Sequence, residues 1–338
     1  MKALFIGGTG TISMAITRAL AKDPDWELTL LNRGNRNENI PAGVTVLQAD
    51  IQDEEACSKL LENRSFDVVC DFIGFVPAQL ERDYRLFAGK TKQFMYISSA
   101  SAYQKPVRDY LITEDTPLEN PYWGYSADKI ACEEYLMQQY HKQGFPVTII
   151  RPSHTYDERS IPLGVHGDKG SWQVIQRMLA GKQVIIHGDG TSLWTMTHNS
   201  DFAKGFIGLM GNPATIGQIY QITSDESLTW NQIYETIADA LGVELHPFYV
   251  ASDFLDSVAP YDFKGSLVGD KANTVVFDNS KLKAAVPDFK ATTPFVEGVK
   301  GTIDYVLQHP ECQIPDPEFD EWCDKVIDAL KAARKNMI

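Results

Sequence analysis

The opening of this 338-residue chain limits its fold more than any other feature. An apolar run at residues 3–6 passes directly into Gly7-Gly8-Thr9-Gly10-Thr11-Ile12-Ser13, and from there into an amphipathic stretch at 13–21. A strand, a glycine-rich turn and a helix in that order form the entry unit of a parallel sheet. Further strand candidates lie at 28–31, 44–47, 68–72, 93–97 and 147–150. They are short and mostly apolar, as strands covered on both faces must be. Helical segments such as 54–61 and 79–87 separate them. The alternation predicts an α/β fold with a doubly wound parallel sheet, and right-handed crossovers leave few topologies open.

After Arg151 the pattern changes. Residues 152–170 are rich in Pro, Gly and His and read as an irregular loop. A helix at 172–179 and a strand at 184–186 follow, and then 201–210 and 219–222 look like sheet elements again. The expected organisation is a dinucleotide-binding domain at 1–160, to which 197–223 return. A smaller, interleaved C-terminal substrate domain takes 161–196 and 224–338. Beyond Leu241 the signals weaken, with Pro287, Pro294, Pro310, Pro315 and Pro317 punctuating short helices and loops.

Charge and cysteine usage narrow the function. Lys and Arg number 31 against 45 Asp and Glu, a net charge of −14. That weighs against nucleic acid, whose phosphates need neutralising, although a local basic pocket remains open. No apolar run approaches the roughly 20 residues of a membrane span, and the start does not read as a signal peptide. Cys57, Cys70, Cys132, Cys312 and Cys323 are scattered with no CxxC, which points to a reduced, cytoplasmic compartment and away from structural zinc. A homodimer is allowed but not specified.

The turn at 7–13 suits a pyrophosphate. Gly7 permits the tight turn, Gly10 lets the phosphate approach the backbone, and Thr9, Thr11 and Ile12 carry it into a helix whose N-terminus offers free N–H groups. Ser13 stands where a third glycine is often found. An acid at the end of the second strand would select NAD through the ribose hydroxyls. Here the chain has Leu31-Asn32-Arg33-Gly34. Asn32 cannot repel a 2′-phosphate and Arg33 can pair with one, so NADP is expected, with NAD the alternative. Asp50 and Ile51 are placed to touch the adenine, and Asp50 could equally cap the helix carrying Glu54.

Tyr125 and Lys129 are four apart and share one face of a helix. Ala127, Ile130, Ala131 and Tyr135 are expected to face the sheet. An ammonium beside a phenol stabilises the phenolate and lowers its pKa, which suits acid/base work on an alcohol or ketone. Upstream, a strand ends in Ser98-Ser99 and delivers hydroxyls to the carboxyl edge of the sheet, where such folds bind ligands.

These motifs, with Phe72-Ile73-Gly74, Ser98-Ser99-Ala100-Ser101-Ala102-Tyr103, Arg151-Pro152 and Gly188-Asp189-Gly190 followed by Asp201, resemble the extended short-chain dehydrogenase/reductases of the NAD(P)-dependent epimerase/dehydratase group. Residues 98–103 and Asn32-Arg33-Gly34 are similar to the atypical branch that includes chloroplast stem-loop-binding proteins. The resemblance implies a Rossmann fold and an oxidoreductase or epimerase acting on a small sugar-like substrate. It implies that Ser99, with Ser98 the near alternative, is the catalytic hydroxyl, that Tyr125 is the acid/base, and that Lys129 holds the nicotinamide ribose. Phe72, Ile73, Gly74 and Ser98 would line the cofactor channel, with Pro152 and Ser153 at the nicotinamide end. Phe75, Ala100, Ser101, His154 and Trp194 are candidates for substrate contact.

The departures bear on substrate. Relatives that use nucleotide sugars usually carry an Arg where this chain has Trp194, which stacks on a ring or sits in the core. Arg177 is the nearest candidate to compensate. His154 and Asp157 replace a usual Asn and Gly, and Ala100-Ser101 replaces the Asp-Glu of sugar dehydratases. Stacking with neutral hydrogen bonds would suit a free sugar, a glycoside or a polyol. His154, His166, His187 and His198 lack the local spacing of metal ligands, so no metal is expected. Asp316, Glu318, Asp320, Glu321 and Asp324 read as a solvated acidic face. A catalytically silent nucleotide-binding or RNA-associated protein of the same fold is the rival reading.

Overall fold

A computed structural model describes residues 1–337; Ile338, the last residue of the expected substrate domain, lies outside them. Seven strands make the central sheet: β1 (Lys2–Ile6), β2 (Glu27–Asn32), β3 (Thr45–Gln48), β4 (Phe66–Asp71), β5 (Thr91–Ile97), β6 (Val147–Pro152) and β7 (Ile219–Ile222). Their order is β7-β6-β5-β4-β1-β2-β3, every pairing parallel. The order reverses between β1 and β4, and a doubly wound sheet opens its binding crevice at that point.

Both faces of the sheet are covered, which is why its strands are apolar throughout. Ala3 and Phe5 of β1 face a core completed by α1 (Thr11–Leu20) and, from much later in the chain, Phe202 and Phe206. Leu4 and Ile6 face the opposite core, with Cys57 of α2 (Glu54–Leu60), Leu80 and Phe87 of α3 (Pro77–Phe87), and Cys132 and Leu136 of α4 (Gly124–Gln143). Gly144, at φ 67°, ends α4 in a left-handed cap. Of the next two helices, α5 (Trp172–Leu179) packs away from the central sheet and α6 (Asn199–Leu209) packs on α1.

A third core lies outside the sheet. It gathers Trp194, Trp230, Tyr234, Val299, Ile303, Phe319 and Trp322, and a parallel pair of strands, Val184–His187 with Pro247–Val250, runs beside it. Three expectations change here. The presumed loop at 152–170 contains a short strand, His154–Tyr156, paired in parallel with Met196–His198. The weak C-terminal region holds two substantial helices, Phe295–Gln308 and Pro317–Asn336. Pro294 is the N-cap of the first and Pro317 opens the second, so these two prolines mark helix starts. The acidic face is only partly solvated. Asp316 is buried and caps the last helix, while Asp320 and Asp324 pair with Arg177 and Lys182; Glu318 and Glu321 are exposed.

Candidate active site

The glycine turn is held from inside. Gly7 has φ +84°, and a Cβ there would lie 2.5 Å from the Ile73 side chain, so no other residue fits without movement. The Ser13 hydroxyl donates to the Gly7 carbonyl at 2.8 Å and accepts from the Gly10 N–H at 2.9 Å. Thr17 donates to the Gly8 carbonyl at 2.8 Å. Ser13 thus closes the turn that a third glycine would only leave room for. A Cβ on Gly10 would meet nothing but Ser13 Oγ at 3.6 Å, so the space above the turn is open. Thr9 is buried, the Thr11 carbonyl accepts from Asn199, and Ile12 packs on the core.

At the end of β2 the Asn32 side-chain oxygen Oδ1 accepts from the Gly34 N–H at 3.0 Å. Its Nδ2 is buried and has no partner among the described residues, while Arg33 and Arg36 are exposed and make no ion pair among them. An orphan donor beside two free cations fits a ribose phosphate. Asp50 is exposed and accepts from the Gln52 N–H, and Ile51 is buried. The cap of α2 is Asp53, which accepts from Ala56, so Asp50 does not cap that helix. After β4 the Phe72 ring packs against Phe5 and Phe206, Ile73 stands against Gly7, and Gly74 presents its carbonyl.

Ser98 and Ser99 separate sharply. Ser98 is buried and donates to Glu133, which also takes a bidentate ion pair from buried Arg151 at 2.6 Å. The Arg151 guanidinium in turn lies 4.8 Å from the Tyr103 ring centre. Ser99 is half-buried, and its hydroxyl lies 2.9 Å from that of Ser101. Ser101 is fixed by a bond from the Ser126 hydroxyl at 2.9 Å and by Asn120, which donates to its carbonyl at 2.8 Å. Of the two serines, Ser99 is the one free to meet a ligand.

The expected apolar face of α4 is not the one that packs on the sheet. Ser126, Lys129, Cys132, Glu133 and Leu136 are buried, whereas Ala127 is exposed and Ile130, Ala131 and Tyr135 are half-buried. The polar members are tolerated because each has a dedicated partner. Lys129 donates to the Gly74 carbonyl at 2.7 Å and the Ile97 carbonyl at 2.8 Å. Its ammonium lies 4.9 Å from the ring centres of Phe75 and Tyr96 and 5.7 Å from that of Tyr125. Burial lowers its pKa to about 8, with nearby Asp71 opposing the drop. Tyr125 is pushed upward by burial, and the Ser99 hydroxyl pulls it partly back. The expected lowering by Lys129 is absent, because that ammonium is turned to two carbonyls.

A cavity of about 270 Å³ opens beside these groups. Ser99, Ala100, Ser101, Tyr125, Pro152, Ser153, His154 and Trp194 all border it. Phe75 does not; its ring covers Lys129. Trp194 is buried and donates its indole N–H to His154 Nδ1 at 3.2 Å, so core and cavity wall are the same position. Burial drops the His154 pKa to about 3, leaving a neutral ring. Arg177 does not reach the cavity: it is bound to Asp320, Asp324 and the Gln183 carbonyl. Sequence reasoning missed Trp123, Lys105, Asp270 and Lys271, which complete the wall with Tyr103, Val275 and Phe277. Among the described residues no group of three His, Cys, Asp or Glu is placed to hold a metal ion, and no helix is long and apolar enough to cross a membrane.

The chain is similar to several known proteins. The 2'-dehydrokanamycin reductase of Streptomyces kanamyceticus is 24% identical over 254 residues, covering 75% of this chain and 70% of the relative. The chloroplast stem-loop binding protein of 41 kDa b of Arabidopsis thaliana is 25% identical over 254 residues, covering 71% of this chain and 63% of the relative. Among solved structures, the UDP-glucuronic acid 4-epimerase of Bacillus cereus in complex with UDP-glucuronic acid and NAD shares the fold. It aligns at a TM-score of 0.73 and 19% identity, over 91% of this chain and 99% of that one. The family model for NAD dependent epimerases and dehydratases matches residues 3–223. That stretch runs from the first strand of the central sheet through its last, and the chain belongs to the NAD dependent epimerase/dehydratase family of enzymes.

Proposed function

We propose that this enzyme interconverts a carbinol and a ketone on a sugar or sugar derivative, using Ser99, Tyr125 and Lys129 with NADP. The observation that carries the reading is that Ser99 and Tyr125 border one cavity while Ser98 is diverted to Glu133. A nicotinamide coenzyme, when bound, supplies or accepts the hydride. Tyr125 exchanges the proton with the substrate oxygen, and the Ser99 hydroxyl holds that oxygen as its charge changes. The upward push on Tyr125 keeps its phenol protonated near neutrality, which suits proton donation in the reductive direction. Lys129, fixed by two carbonyls, is available to a coenzyme ribose through its remaining N–H. Asn32 and Arg33 support the preference for NADP over NAD.

The substrate is held without a nucleotide diphosphate. Trp194 has one N–H, already given to His154, and Arg177 is spent on carboxylates elsewhere. The net charge of −14 weighs against an RNA partner, despite the similarity to a stem-loop binding protein. The test is mass spectrometry of the coenzyme retained after gentle purification, then titration with NADP and NAD and a hydride-transfer screen on free and nucleotide-linked sugars. Tighter binding of NADP and turnover of a free sugar are expected. Equal binding of NAD would remove the coenzyme assignment, and micromolar binding of UDP, dTDP or GDP in the cavity would restore a nucleotide-sugar substrate. Tight retention of the coenzyme through turnover would mark an epimerase, and free exchange a reductase or dehydrogenase.

A further inference from the structure

The cavity beside Ser99 and Tyr125 carries charge that proton exchange does not use. Lys105 comes from the loop after β5, and Asp270 and Lys271 from the helical segment Lys264–Lys271. Lys105 is 3% exposed, yet its ammonium has no hydrogen-bond or ion-pair partner among the described residues. Lys271 reaches a single carbonyl, that of Ser266, at 3.3 Å. The Asp270 carboxylate feels both lysines, but neither approaches it within the 4.0 Å of an ion pair. Burial pushes both lysines down and the carboxylate up. Buried charges are normally paired, and an unpaired one is costly. Lys105 contrasts with Glu133 and Arg151, which are equally buried but tightly bonded, while Asp270 and Lys271 are half-buried at the cavity wall.

We propose that Lys105, Asp270 and Lys271 form a subsite for a polyhydroxylated monocarboxylate, the two ammonium groups holding the substrate's carboxylate and Asp270 accepting from its hydroxyls. This rests on the reading of the cavity as the substrate site. Ionised, the three residues carry one net positive charge in a chain that is otherwise strongly negative. One positive charge matches a monoanion. A phosphate dianion would meet repulsion from Asp270, an amino sugar would meet two lysines, and a neutral sugar would leave Lys105 unpaired. Trp123, Trp194 and Phe277 supply the apolar walls on which a sugar ring packs.

The test is calorimetry on the NADP-loaded enzyme with a panel of hexuronates and aldonates, each beside its neutral aldose and the corresponding 6-phosphate, at fixed ionic strength. At least one acid is expected to bind ten or more times tighter than its neutral and phosphorylated counterparts. Lys105→Met and Lys271→Met should each reduce that preference at least tenfold with NADP binding unchanged, and the arginine variants should restore part of it. The ligand comparison in the unaltered protein does not depend on how well the variants fold. No acid binding better than its neutral aldose, or a preference for the 6-phosphate, would overturn the proposal. Turnover assays separate the two readings. Acids that bind through the lysines but never transfer hydride would leave the subsite standing and remove the proposed chemistry. Neutral sugars that turn over, with acids binding no better, would do the reverse.

Discussion

On the sheet side of the cavity, polar groups are engaged before any ligand arrives: Ser98 with Glu133, Lys129 with two carbonyls, Ser101 with Ser99, Ser126 and Asn120. Across from it, Lys105, Asp270 and Lys271 are nearly without partners. Lys105 is as buried as Ser98 and Lys129, so solvent does not account for its lack of partners, while Asp270 and Lys271 are half-buried. A satisfied network fixes positions, which acid/base work on a carbinol needs to within fractions of an ångström. An unsatisfied one holds binding energy in reserve for a counter-charge. The difference is why we place the proposed reaction on the sheet side and the proposed recognition on the opposite wall.

Substitutions on the sheet side break this comparison first. Tyr125→Phe keeps the ring but exchanges no proton, and should lower kcat by about 10²–10⁴-fold while leaving NADP titration curves unchanged. Retained turnover would remove the acid/base assignment. The neighbouring serines should then split by kind of effect. Ser99→Ala is expected to lower kcat by about 10²–10³-fold with little change in thermal stability. Ser98→Ala should keep kcat and lose about 1–3 kcal/mol of stability, because Glu133 loses a buried donor. If the two phenotypes were exchanged, Ser98 would be the reacting hydroxyl.

Much of the sheet side was legible in the sequence because its signals are local. The glycine turn is one heptapeptide, and Tyr125 and Lys129 lie on adjacent turns of one helix. The packing face of α4 was misread for a physical reason. Apolar periodicity assumes that burial follows hydrophobicity, and here Ser126, Lys129 and Glu133 are buried because each finds a partner. The opposite wall could not be read at all. Lys105 and Lys271 border one cavity from positions nearly half the chain apart, and neither sits in a motif. Asp53, not Asp50, caps α2, and nothing in Asp50-Ile51-Gln52-Asp53 distinguishes the two carboxylates beforehand.

A smaller effect extends the comparison to the coenzyme end, where Asn32 is tied to Gly34 and Arg33 is free. Arg33→Ala should weaken NADP about tenfold and leave NAD unchanged in parallel titrations. An equal loss for both would mean that Arg33 does not read the 2′-phosphate. The smallest effect is in pH dependence. Lys129 titrates at about 8 when folded, below the ordinary lysine value of 10.5, so between these limits the unfolded chain binds more protons. Its contribution therefore stabilises the fold as pH rises from about 8 and is lost as pH falls back through about 8. Thermal melts from pH 7 to 10 should show the wild type gaining on Lys129→Met. A constant gap between the two would contradict the buried, charge-penalised lysine.

The assignment of reaction to the sheet side is tested most directly by single-turnover kinetics. Wild-type and Tyr125→Phe enzymes, each loaded with oxidised NADP, are mixed with a panel of sugars and sugar acids while the absorbance of reduced nicotinamide is followed. The wild type should develop that band with at least one of them, and the variant, with its coenzyme still bound, should do so at least 100-fold more slowly. Reduction at the same rate in both enzymes, or none in the wild type with any of the panel, would contradict it.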